Sequence, residues 1–241
     1  MSEKKYIVTI DGPSGSGKST ISKLLASRLH YTYLDTGAMY RVVGLQVERA
    51  GLDLETDGAR EKLVQLLAGL DMALAPGEDG RETRAFLDGE DVSDVIRTPE
   101  MAMVASRVSA QAEVRKKLTE MQRIIGSNGA IVAEGRDMGT IVFPDAMHKF
   151  FLDATPEERA KRRQKQLAEN GQNIEFQEIL AQIQKRDRDD SSRSLAPLQP
   201  AEDAVVIDSS VMSIEEVVSF MQAAIKAKQK ECTLRTSDGK I

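Results

Sequence analysis

The sequence predicts an α/β fold, a parallel sheet with helices on both faces, and three observations carry that prediction. Residues 6–10 are a short, β-rich apolar run, a glycine-rich loop follows at once, and Ile21, Leu24, Leu25 and Leu29 then repeat at helical spacing. Further short apolar runs alternate with helically spaced segments down the chain, the pattern of strands joined by crossover helices. The residues after the proposed strands are polar and of functional types, as expected where a parallel sheet binds ligands beyond the carboxyl ends of its strands.

The glycine loop organises the rest. It contains G-x-x-x-x-G-K-S/T as Gly12, Gly17, Lys18 and Ser19. Glycines let successive backbone N–H groups turn into one concavity, and the helix N-terminus adds its positive dipole end. Gly12, Pro13, Ser14, Gly15, Ser16, Gly17, Lys18, Ser19 and Thr20 are therefore candidates to cradle phosphates. In that setting Lys18 neutralises β- and γ-phosphates and the Ser19 hydroxyl ligates magnesium. The alternative is an ordinary Gly/Ser-rich turn, which needs neither the strand before it nor the helix after it.

Residues 31–34 read as a second strand, ending at Asp35-Thr36-Gly37. Residues 38–49 read as a helix closed near Gly51, and 60–70 carries Leu63, Leu66, Leu67 and Leu70 at helical spacing. Residues 72–74 and 83–87 suit a small antiparallel pair across the polar link 76–80, with a second turn at Asp88-Gly89. Pro99 opens a helical region that runs, with room for a break, towards Ile125 and ends within 126–129. Residues 130–133 are a continuous apolar run suited to a buried parallel strand, and Glu134-Gly135-Arg136-Asp137 follows it. Another strand over 149–152 leads to Asp153. Charged helices over 157–169 and 174–188 are joined through Asn170-Gly171. A last core strand spans 204–207, and Ser213 caps a final helix with Ile214, Val217, Val218, Met221 and Ile225 as its buried stripe. Residues 229–241 are polar and are expected to be disordered.

Composition narrows the function classes. Of 241 residues, 41% are hydrophobic and 29% charged, ordinary for a globular protein. A net charge of −5 argues against nucleic acid as a partner. The single cysteine, Cys232, cannot form an internal disulfide and suits a reducing cytoplasm. The chain enters its first strand directly after residue 5, so no signal peptide is expected, and no apolar run approaches the ~20 residues of a membrane span. The N-K-x-D motif of a guanine-nucleotide switch is absent.

Arginine is the second chemical signal. Arg41, Arg115 and Arg136 lie at or near proposed strand ends, and Arg159, Arg162, Arg163, Arg186, Arg188 and Arg193 lie in or just beyond the charged helices. Guanidinium meets phosphate oxygens two at a time and stays charged at any working pH, so these residues could grip a second phosphate-bearing substrate. For the helix-borne arginines a solvated face with acidic neighbours such as Asp187, Asp189 and Asp190 stays open. Asp137 could hold magnesium, accept from a base or cap a helix. Asp35 has the same options, with a structural or metal-shell role favoured. His30 and His148 lie outside every constellation.

The chain resembles the bacterial cytidylate kinases in residues 9–15, 34–41, 134–140, 142–145 and 186–193, in that order, and the resemblance spans about residues 6–227. It implies one kinase domain over 1–241 with a P-loop three-layer core, an inserted monophosphate-binding subdomain and a helical lid. The core would take about 1–35, 125–154 and 196–228, the subdomain about 36–124, and the lid about 155–195. The segment 71–95 is similar to an insert of the bacterial members. The resemblance further implies transfer of the γ-phosphoryl of ATP, with Mg2+, to CMP or dCMP in pyrimidine nucleotide metabolism. By that resemblance Arg41, Arg136 and Arg193 would hold the acceptor phosphate, and Ser106, Arg115 and Asp137 would read the cytosine. Arg186 and Asp190 would meet the ribose, and Arg159, Arg162 and Arg163 the transferring group. Thr36 stands where many members have serine and Glu134 where others have aspartate; each could tune CMP against dCMP or UMP.

Elementary chemistry agrees with this division of labour. Cytosine presents an N4 amine where uracil presents an acceptor, so a carboxylate such as Asp137 would accept from one and repel the other. The second pKa of a phosphate monoester is near ~6, so no general base is required. Alignment and charge neutralisation would carry catalysis, and lid closure would exclude water. Two other readings remain: a kinase using UMP and CMP equally, and a nucleotide-dependent module whose lid arginines contact RNA. Small-molecule partners, a cytoplasmic setting and a monomer are expected.

Overall fold

The computed structural model describes residues 6–77, 83–169 and 171–237. Residues 78–80 of the expected polar link, Asn170 of the expected inter-helix turn and residues 238–241 lie outside the described residues, as does the side chain of Cys232. In chain order the elements are β1 (Ile7–Asp11), α1 (Lys18–Leu29), β2 (Thr32–Asp35), α2 (Thr36–Arg49), α3 (Ala59–Ala68), β3 (Met72–Ala75), β4 (Arg84–Leu87), β5 (Glu90–Asp91), α4 (Pro99–Val108), α5 (Ala112–Gly126), β6 (Ile131–Gly135), β7 (His148–Asp153), α6 (Pro156–Glu169), α7 (Phe176–Ser191), β8 (Val205–Asp208) and α8 (Ile214–Ser237). The chain divides into two compact units, one of residues 34–128 and one of the remainder.

The unit formed by the two chain ends is built on a five-stranded sheet in the order β2-β6-β1-β7-β8. β1 pairs in parallel with β6 and with β7, and β7 with β8. Successive side chains of a strand point to opposite faces. Val8 and Ile10 of β1, Val132 of β6 and Phe150 and Leu152 of β7 therefore share one face, where they pack with Ile21 and Leu25 of α1 and Val217, Val218, Met221 and Ile225 of α8. Each such fully buried aliphatic side chain contributes about 1.5–3 kcal/mol relative to exposure. Thr9 and Asp11 point to the other face, towards a π-helical turn over Met138–Val142.

The β1–β6 register pairs Ile10 with Glu134 and Asp11 with Gly135. The carboxyl ends of the two strands are thus level, so the glycine loop and the residues from Glu134 onward leave the sheet side by side. β2 lies beyond β6 while β7 and β8 lie on the other side of β1, so the strand order switches at β1, the place where open α/β sheets bind ligands. α6 and α7 pack as a pair around Ala160, Leu167, Ile179 and Ile183.

The unit of residues 34–128 carries the antiparallel sheet β3-β4-β5 and helices α2 to α5. Asp35 caps α2, accepting from Ala38 N–H at 2.9 Å, so α2 starts at Thr36, earlier than the spacing alone suggests. This is the structural role among the two favoured for Asp35. Gly44 lets α2 approach α4: a Cβ there would meet Val104 Cγ1 at 3.0 Å. The helical region that opens at Pro99 breaks at residues 109–111 into α4 and α5, with Thr98 capping α4 through Met101 N–H.

Four features depart from the sequence reading. β5, a short 3-10 turn over Val95–Arg97 and the π-helical turn were not read as elements. They are too short to show a hydrophobic period. The final helix runs to Ser237, so residues 229–237 are helical where disorder was expected. Lys, Ala, Gln and Glu dominate 226–231, all strong helix formers, and the first glycine after them is Gly239. Among the described residues no helix is long and apolar enough to cross a membrane.

Candidate active site

The glycine loop joins β1 to α1 in a backbone path that only glycine tolerates at two of its corners. Gly12 has φ +146°, and a Cβ there would sit 2.0 Å from the Leu152 carbonyl oxygen of β7. Gly17, at φ +92°, immediately precedes α1. Lys18 follows, almost wholly buried, and its Nζ donates to the Pro13 carbonyl at 2.6 Å and lies 3.4 Å from Ser16 Oγ. Burial, then the positive charges of Arg136 and Arg186, push the Lys18 ammonium well below the usual lysine range, against the pull of Glu134 and Asp11. A buried cation in a positive field is a site short of negative charge, and a polyphosphate in the loop would supply it.

Ser19 Oγ donates to Glu134 Oε1 at 2.8 Å, and Tyr33 Oη donates to the same oxygen at 2.6 Å. Glu134 reaches Ser19 because alternation along β6 turns it to the face that α1 covers. The donor set suits magnesium held in part by its substrate. Among the described residues no group of three or more His, Cys, Asp or Glu is placed to hold a metal alone. Magnesium commonly takes one or two protein oxygens and completes its shell with phosphates and water. The Ser19 hydroxyl, with Glu134 behind it, fits that pattern.

The second concentration of charge centres on Asp190, 1% exposed near the end of α7. Its carboxylate accepts from Arg136 Nε at 3.0 Å and from Arg193, and Arg186 Nε lies 4.0 Å away. Burial alone would raise this carboxyl, but Arg136, Arg193 and Arg186 outweigh it and hold Asp190 below the usual carboxylate range. Three guanidinium groups converge on this one carboxylate. Arg186 also donates to Ser14 Oγ at 3.2 Å, which ties the cluster to the glycine loop. Asp137, 2% exposed, sits one residue beyond Arg136 at the entry to the π-helical turn.

The lid arginines fare differently from one another. Arg159 is buried. It donates to Asp187 through both terminal nitrogens (2.9 and 2.6 Å), to the Ala154 carbonyl at 2.9 Å and to the Ser14 carbonyl at 3.1 Å. Its guanidinium meets protein acceptors that tie α6 to α7 and to the loop. Arg162 reaches Ser209 (carbonyl 2.6 Å, Oγ 3.2 Å) and the Ser16 carbonyl at 3.4 Å. Arg163 donates to Gln166 at 2.9 Å on its own helix. The structure thus brings Arg159 and Arg162, with Arg186, to the glycine loop, and leaves Arg163 along α6.

The other unit holds the remaining candidates. Thr36 is buried in the first turn of α2, and Arg41 is half-buried one turn further on. Arg115 is buried in α5, donates to the Ser109 carbonyl at 3.0 Å and lies over the Tyr40 ring at 5.7 Å. The Ser106 carbonyl accepts from Ser109 Oγ at 2.8 Å, so Ser106 and Arg115 both engage Ser109.

Sequence reasoning passed over Asp11, Tyr33 and Ser209, and named Asp187 only as an acidic neighbour of the helix-borne arginines. Asp11 and Ser209 could have been found by the strand-end rule that singled out Asp35 and Glu134, because each lies at or just beyond the carboxyl end of a parallel strand. Tyr33 carries no comparable signal, being an ordinary residue until the fold supplies Glu134. His30 is the left-handed residue that closes α1, and His148 is buried against the edge of Tyr6.

Comparison with known proteins identifies the family. The cytidylate kinase family model matches residues 8–227. A cytidylate kinase of Geobacter sp. (strain M21) is 49% identical over 94% of this chain and 95% of its own length. One from Aliivibrio salmonicida is 48% identical over 92% of this chain and 97% of its own. One from Caldicellulosiruptor bescii is 49% identical over 89% of this chain and 93% of its own. On that breadth of match this chain belongs to the cytidylate kinase family.

Proposed function

We propose that this chain moves the γ-phosphoryl group of ATP to CMP or dCMP, giving CDP or dCDP and ADP, in pyrimidine nucleotide metabolism. The single observation that carries the reading is the Asp190-centred arginine cluster bonded to the glycine loop through Arg186 and Ser14, two anion-seeking sites in one compact unit.

In this reading Gly12 to Thr20 hold the ATP phosphates, and Lys18 neutralises the β- and γ-phosphates. Magnesium, held by Ser19 with Glu134 behind it, supplies charge neutralisation. Arg136 and Arg193 hold the acceptor phosphate, Asp137 accepts from the cytosine amine, and Arg186 and Asp190 meet the ribose. In the unit of residues 34–128, Thr36, Arg41, Ser106 and Arg115 are the candidates for acceptor binding. Arg159, Arg162 and Arg163 are candidates for the transferring group. Arg159 also meets Asp187, which ties the α6–α7 lid to the loop. An acceptor phosphate is largely ionised at neutral pH, so the chain need only align it and offset its charge. The acidic balance of the chain and its single cysteine favour small nucleotides as partners and a reducing cytoplasm.

The test is a coupled assay offering CMP, dCMP, UMP and AMP separately with Mg·ATP. CDP and dCDP should form fastest. UDP formation as fast as CDP would overturn base reading by Asp137 and favour a kinase that treats the two pyrimidines alike.

A further inference from the structure

We propose that Asp11 is a positioning residue for the acceptor: by gripping the backbone of Met138 and Gly139 it holds Arg136 and Asp137 at the carboxyl edge of β1, and so sets acceptor affinity and base selectivity. The inference rests on the reading that Arg136 and Asp137 bind CMP, but Asp11 belongs to neither the glycine loop nor any acceptor contact assigned above.

Asp11 is the last residue of β1, in register with Gly135 of β6. Its two carboxylate oxygens divide their work. Oδ1 accepts from Met138 N–H at 2.8 Å and Oδ2 from Gly139 N–H at 2.7 Å. Those amides come one and two residues after Asp137, 127 and 128 residues away from Asp11 in the chain. Two bonds from one carboxyl group to consecutive amides fix both the height and the rotation of a turn, which one bond could not do. The turn also lies down on the strand. A Cβ at Gly139 would meet Thr9 Oγ1 at 3.0 Å, Lys149 Cδ at 3.3 Å and Asp11 Oδ2 at 3.4 Å. Thr9 Oγ1 is buried with no hydrogen-bond partner among the described residues. The bonds to Asp11 are therefore the polar anchor of this contact on the β1 side.

The consequence is geometric. Asp11 immediately precedes Gly12, so the strand that presents the glycine loop also holds the turn that presents Arg136 and Asp137. Base reading by hydrogen bonds is sensitive to displacements well below 1 Å, because a misplaced buried acceptor loses its bond and keeps its desolvation cost. Such a residue should influence the acceptor more than ATP.

The experiment compares wild type with Asp11→Asn and Gly139→Ala by steady-state kinetics for CMP, UMP and ATP, with thermal melts of each protein. Asparagine keeps the shape but turns an N–H donor towards a backbone donor. Alanine perturbs the same contact from the turn side and leaves Asp11 ionisable. Both variants should raise KM for CMP about tenfold or more, lower the CMP-to-UMP ratio of kcat/KM by a similar factor, and leave KM for ATP within about twofold. Should one variant not fold, the other decides. Equal losses for ATP and CMP, or an unchanged CMP-to-UMP ratio in a folded variant, would overturn the proposal and leave Asp11 a purely structural group. A wild type that does not phosphorylate CMP would instead overturn the proposed function.

Discussion

Arg136 donates its Nε–H to Asp190 at 3.0 Å across 54 residues of chain, joining the residue that follows β6 to the end of α7. The bond is one of several on a single buried carboxylate, so Asp190 is a counter-ion shared by Arg136, Arg186 and Arg193.

Removing that counter-ion should expose the charge imbalance. Asp190→Ala should lose about 3–5 kcal/mol of stability, the usual cost of stripping one partner from a buried ion pair. Added sulfate should restore the melting temperature of the variant by more than it raises that of wild type. Equal sulfate effects in the two proteins would show that the arginines do not form one anion-seeking cluster.

Lys18 should be separable from the fold. It is buried at a cost and donates to the Pro13 carbonyl, so Lys18→Met relieves a desolvated cation. The melting temperature should hold or rise while kcat/KM falls about 10²–10³-fold, the scale of one lost transition-state donor. Activity near the wild-type level would remove Lys18 from the mechanism.

His148 should give stability a pH dependence of known sign. Burial, with a smaller contribution from the Lys228 charge, lowers its pKa from 6.5 to about 4. The folded state thus binds this proton less readily than the unfolded chain. Its contribution is fully present above pH 6.5 and is lost as pH falls towards 4, with a slope of at most ~1.4 kcal/mol per pH unit. Unfolding free energies at pH 7 and 4.5 should therefore fall further for wild type than for His148→Phe. A variant with the same pH dependence as wild type would contradict the assignment.

Much of the phosphate-binding half was legible in the residues themselves. Strand, glycine loop and helix are local, and each is announced within a few positions: the first strand by the apolar run over residues 6–10, Gly12 and Gly17 by spacing, α1 by Ile21 and Leu25. The order of short apolar runs was enough to expect a parallel sheet, and the strand-end rule pointed to Glu134 and Arg136. What the chain could not announce were partnerships between distant residues. That Arg159 meets Asp187 depended on how α6 packs on α7. Whether Glu134 lay behind Ser19, or Asp11 under Gly139, depended on which face of the sheet each side chain took and on the level pairing of β1 with β6. Hydrophobic period and turn chemistry act over a few residues and are written in sequence. A bond between Asp11 and an amide 128 residues away exists only once the sheet has set its register, and only the tertiary structure decides that.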